Sequence, residues 1–123
     1  MAAADDLPRG LVLGAGPAYQ PSVTFPACPN VSWVLTEIDV DFYAVAAAAA
    51  ENITCTISVL SNGIALAIVG AIVAYAPNGQ SAFDSWSWSG KAAGQPGQNL
   101  EVATVFNTGT STAAAIRANA YPI

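Results

Sequence analysis

The chain has 123 residues, enough for one domain with a sizeable core. Apolar residues make up 54% of it and charged residues only 9%, well under the quarter or so of an ordinary soluble domain, so part of its surface is expected to be hidden in an assembly. The net charge is −5 and the cations are Arg9, Lys91 and Arg117 alone, which argues against nucleic acid and against an anionic membrane surface as partners.

Residues 1–21 mix Ala, Asp, Gly and Pro, and Gly14, Gly16, Pro17 and Pro21 break any period. They read as an extended N-terminal arm, which leaves 22–123 as the folded domain. The stretch from Met1 to Gly10 lacks the basic start and apolar run of a secretory signal, so no export is expected. The acceptor triplets Asn30-Val31-Ser32 and Asn52-Ile53-Thr54 accordingly read as chance matches. Val23 to Phe25 is a short candidate strand boxed in by prolines, suited to a sheet edge.

From Ser32 to Ala44, Val34, Ile38, Val40 and Phe42 share one parity while Glu37, Asp39 and Asp41 share the other. That alternation predicts a long half-buried strand whose outward carboxylates stand roughly 7 Å apart. Val45 to Ala50 reads as a connection. Next, Ile53, Cys55, Ile57 and Val59 alternate with Thr54, Thr56 and Ser58, and Ser61-Asn62-Gly63 supplies residues that tolerate positive φ, predicting a hairpin. The returning segment, Ile64 to Tyr75, is apolar on both parities and is expected to be covered on both faces. It is also shorter than the roughly 20 residues that cross a bilayer.

Phe83 to Ser89 alternates again, placing Trp86 and Trp88 on one face ahead of a loop from Gly90 to Gly97. Leu100 to Phe106 and Thr112 to Tyr121 complete the set. Short strands, frequent turn signals and no convincing long helix predict an all-β fold, an antiparallel β-sandwich of jelly-roll-like kind with an extended N-terminal arm.

The chain contains no histidine, which removes the commonest general base together with the Ser/His and Cys/His nucleophile pairs. Lys91 lacks a serine three residues before it, because Trp88 stands there. Gly14-Ala15-Gly16 opens like a dinucleotide fingerprint, but Tyr19 occupies the third glycine position. No catalytic residue, cofactor or metal is expected. Cys28 and Cys55 are too few for a usual zinc site and read either as buried free thiols or as a disulfide.

Two groups of side chains are candidates for contact with other subunits. Glu37, Asp39 and Asp41 form a solvated strand face that can also meet a partner's basic residues or a hard cation. Trp86 and Trp88 are anchors of a core or interface, or else a flat platform for sugar rings.

Taken in order, these features resemble the small virion proteins of tailed phages: the strand Trp33 to Tyr43, the hairpin across Ser61-Asn62-Gly63, the strand end Trp88 to Gly90, the turn into strand from Pro96 to Val102, and the Ala-rich strand ending in Tyr121. The resemblance spans roughly residues 22–123. It implies a jelly-roll-like decoration (cement) protein on the capsid surface, a homotrimer partnered by the major capsid protein, and it carries no catalytic motif. A tail or fibre component, or a carbohydrate-binding adhesion module, are the alternatives.

Overall fold

The period-2 alternation of apolar and polar residues is realised along nearly the whole chain. A computed structural model of the protein describes residues 10–45, 51–76, 81–107 and 112–123. The strands are β1 (Leu11–Ala18), β2 (Ser22–Phe25), β3 (Trp33–Val45), β4 (Glu51–Ser61), β5 (Ile64–Ala76), β6 (Ser81–Ala93), β7 (Leu100–Phe106) and β8 (Ala113–Pro122). No helix occurs among the described residues. All pairings are antiparallel, in two four-stranded sheets ordered β1-β8-β3-β6 and β2-β7-β4-β5. The two sheets pack face to face as a sandwich. Only the β4–β5 connection stays within one sheet, and every other pair of consecutive strands crosses from sheet to sheet.

The hairpin expected at Ser61-Asn62-Gly63 is formed, with φ of 51° at Asn62 and 81° at Gly63. Positive φ at both central residues matches the right-handed twist of the flanking strands. Between the sheets lie Phe25, Leu35, Ile38, Phe42, Ile53, Ile57 and Leu100, all fully buried. Burial of side chains of this size stabilises the fold by about 1.5–3 kcal/mol each. Trp33 closes one end of this core: its indole N–H donates to the carbonyl of Pro26 at 2.8 Å, and its ring lies 5.3 Å from that of Phe25.

Several expectations are corrected. Residues 11–18 of the expected arm are a strand, β1, paired with β8 from Leu11↔Ala120 to Ala18↔Ala114. Leu11, Leu13 and Ala15 alternate toward the core there, a short apolar period that the surrounding glycines and prolines mask in the sequence. Residues 1–9 lie outside the described residues, as do 46–50, where a connection was expected.

In β3 the register shifts between Leu35 and Glu37. This bulge turns Trp33 and Leu35 inward on one side of it and Ile38, Val40 and Phe42 on the other, so the buried row changes parity at Thr36. Strand β6 runs on through Gly90 to Ala93, past the point where a loop was expected, because Val34 and Leu35 of β3 continue the ladder opposite Ala93 and Ala92.

The expected cover over both faces of β5 is absent from the chain's described residues. β5 is an edge strand, and two register shifts against β4 change which of its side chains face inward. Ile72 and Ala74 reach the core, whereas Ile64, Ile68, Val73 and Tyr75 are 69%, 70%, 56% and 61% exposed. The cysteines are not bridged: Cys28 is exposed in the β2–β3 connection and Cys55 is buried on β4.

Candidate functional site

Strand pairing builds the outer face of the β1-β8-β3-β6 sheet row by row. Glu37 of β3 stands between Ser89 of β6 and Asn119 of β8, Asp39 between Ser87 and Arg117, and Asp41 between Ser85 and Ala115. Residues directly opposite in a sheet share a face, so three carboxylates in the middle column are flanked by three serines on one side. The alternation read from the sequence thus places Glu37, Asp39 and Asp41 together as expected.

Each acid has a different partner. Arg117 Nη2 lies 3.1 Å from Asp39 Oδ2, and Asn119 Nδ2 donates to Glu37 Oε2 at 3.0 Å. The ion pair is exposed, 64% and 44% on its two sides, so solvent screening limits it to under about 1 kcal/mol. Asp41 makes no ion pair or side-chain hydrogen bond with the described residues, and it is exposed. Arg117 therefore offsets one of three acids, and the column stays acidic. Among the described residues no group of three His, Cys, Asp or Glu side chains is placed to hold a metal ion, as the spacing of alternate strand positions dictates.

At one end of the column the polar grid gives way to an aromatic pair. Tyr43 and Phe83 face each other across β3 and β6 with ring centroids 4.7 Å apart, and Phe83 is 76% exposed. Asp84 lies beside it, its Oδ1 accepting from the backbone N–H of Ser85 at 2.9 Å. The sequence carried the signal for this pair: Tyr43 has the parity of Asp39 and Asp41, and Phe83 that of Ser85 and Ser87.

Trp86 and Trp88 do share a face, but the opposite one. They stand across from Val40 and Ile38, both buried, so their rings turn toward the interior at the open side of the sandwich. There they pack half-buried against the core. Trp86 lies over Gly70 of β5, and Trp88 leans over Gly90 of its own strand. The five candidate contact residues therefore form two sites separated by the thickness of one sheet. Neither tryptophan contributes a ring to the outer face, where an exposed platform for sugar stacking would stand.

The outer face of the other sheet has a different chemistry. Thr54, Thr56 and Ser58 of β4 pair with Val73, Ala71 and Ile68 of β5 on one side, and Thr56 pairs with the exposed Val105 of β7 on the other. Hydroxyls and apolar side chains alternate there without charge until Glu101 of β7, across from Leu60. The sandwich is two-sided: one outer face carries carboxylates and hydroxyls, and the other carries hydroxyls and apolar side chains with Glu101 toward one end. The sequence matches no known protein family, and it matches no curated protein.

Proposed function

We propose that this protein is a structural virion subunit of a tailed phage, a decoration protein bound to the outer capsid surface, whose partners are the major capsid protein and its own copies. The observation that carries this reading is the uncovered apolar strand. A single chain leaves Ile64, Ile68, Val73 and Tyr75 of β5 more than half exposed, and exposed apolar clusters of that kind mark surfaces that are buried in an assembly. The low charge content acts in the same direction, since a free monomer is normally kept soluble by charge.

The strand order also supports the jelly-roll part of the reading. Two sheets ordered β1-β8-β3-β6 and β2-β7-β4-β5 nest the two ends of the chain around a central hairpin, the double Greek-key arrangement of an eight-stranded jelly roll. In this role the acidic column of Glu37, Asp39 and Asp41 docks against basic groups on the shell, where charge complementarity sets the register of docking more than its strength.

Co-sedimentation with phage heads stripped of their decoration proteins tests the proposal. The purified chain is expected to pellet with the heads, and the double variant Glu37→Lys, Asp41→Lys to bind more weakly, with the difference shrinking as salt is raised. A chain that stays in the supernatant with every head preparation overturns the capsid role. Binding indifferent to the double variant and to salt overturns the acidic column as the docking face.

A further inference from the structure

We infer that strand β5 is the contact through which two copies of this chain join, edge to edge, about a two-fold axis. This deepens the assembly reading and rests on it only for the premise that β5 is covered by another subunit; it names that subunit as a second copy.

The inference starts from how the four sheet edges differ. An open edge presents unpaired N–H and C=O groups, and proteins that remain single blunt such edges with prolines, charges, bulges or short length. β2 is four residues long and lies between Pro21 and Pro26. β1 is interrupted by Pro17 and by a register shift between Ala15 and Ala18. β6 carries the exposed charges of Asp84 and Lys91. β5 runs for 13 residues, Ile64–Ala76, with neither a proline nor a charged side chain. Its two register shifts against β4 are the one such device it carries, and they bring neither a charge nor a missing N–H that would turn a neighbouring strand away.

Charge selects the occupant. Two chains of net charge −5 repel as whole bodies. From Asn52 to Phe83, however, the sequence contains no charged residue, so, apart from Glu51 opposite Ala76 at the very end of the strand, β5 and the part of β4 beside it form a surface on which two copies approach without a like-charge contact. The acid column stands on the outer face of the other sheet, and Glu101, the acid on the same face as Ile68 and Val73, is separated from the edge by β4.

Geometry selects the symmetry. Two identical strands paired antiparallel are related by a two-fold axis, so the contact is isologous and closes at the dimer. It joins two four-stranded sheets into one continuous eight-stranded sheet. Ile68, Val73 and Tyr75 of each copy then line the outer surface beside the seam and cover one another. A trimer, by contrast, requires a contact between two different patches.

The test is the solution mass of the full chain across a dilution series, by light scattering, for wild type, Ile68→Lys, Val73→Lys and Phe83→Lys. Ile68 and Val73 are exposed in the single chain, so far-UV circular dichroism is expected to be unchanged in all four. Wild type and Phe83→Lys are expected at twice the 12.4 kDa chain mass, and both β5 variants at the chain mass. A wild-type monomer at every concentration overturns the self-contact, and so does a trimer. A dimer that survives both lysines places the contact elsewhere and overturns the assignment to β5. Head binding is measured separately, so a wild-type chain that stays monomeric yet binds heads removes this inference alone.

Discussion

The indole of Trp86 occupies the space that a side chain on Gly70 would need: a Cβ built on Gly70 overlaps the ring and comes within 2.7 Å of its Cε2. Gly70 lies in the β5 row facing the core, opposite Ile57, so this contact closes the side of the sandwich where β5 and β6 face each other. Gly70→Ala is expected to destabilise the fold by about 1–3 kcal/mol, the usual cost of overpacking a fitted site. Trp86→Leu in the same chain is expected to return part of that loss, because the smaller side chain vacates the space. Urea unfolding of the four members of the cycle measures the coupling, and strictly additive losses would mean that ring and glycine do not meet.

Two phenylalanines on neighbouring strands are expected to lose very different amounts of stability on the same truncation. Phe42 of β3 is fully buried, 5.3 Å from the ring of Phe106, and Phe42→Ala is expected to cost about 3–5 kcal/mol through lost transfer energy and a residual cavity. Phe83 of β6 faces outward against Tyr43, and Phe83→Ala is expected to cost no more than about 1 kcal/mol, the scale of one exposed aromatic pair. The difference in urea midpoint at constant m-value is the measurement. Equal losses would place Phe83 in a core that the fold does not give it.

The two thiols are expected to separate in a native-state titration with a thiol reagent. Cys28 is exposed and should react at once, while Cys55 is buried and should react only on unfolding. Burial pushes the Cys55 thiol up from 9.0 to about 12. With a folded value above the unfolded one, the unfolded chain releases its proton first as pH rises, so this group's contribution to stability is complete below about pH 9 and is lost between there and about pH 12. Cys55→Ala is expected to remove that part of the alkaline decline, seen as a smaller fall in thermal midpoint over the same range. A decline identical in wild type and variant would count against a buried thiol at this position.

Much of this fold is legible in the sequence wherever one strand face is wet and the other dry. Ile53, Cys55, Ile57 and Val59 alternate with Thr and Ser, and they are the buried row of β4; Glu37, Asp39 and Asp41 alternate with Ile38 and Val40, and they are the outward column of β3. The same rule fails where composition does not distinguish the faces. β1 is short, with glycines and Pro17 among its apolar residues, so its pairing with β8 has no local signature and depends on a strand about a hundred residues away. β5 is apolar on both parities, which suggests a fully covered strand, yet it is an edge, because edge position follows from topology and no periodicity encodes it. For the tryptophans, shared parity was readable but direction was not. Trp86 and Trp88 alternate with Ser85, Ser87 and Ser89 but share their parity with Asp84, and their inward turn follows from pairing with Val40 and Ile38.

The nesting of the strands also sets the order in which the molecule can be assembled. β4 and β5 are joined by a tight turn and can pair as soon as both have been made, whereas β2 must wait for β7 and β1 for β8. Contacts between segments so distant in the chain are slow to form, because the intervening loop must first be closed at an entropic cost. During synthesis the β4–β5 hairpin, uncharged from Asn52 on, therefore forms early, while β1, made before it, pairs only once β8 has been made. Slower translation or lower temperature during expression favours the native product, since it lengthens the interval in which β8 can reach β1 before exposed hairpins of different chains meet one another.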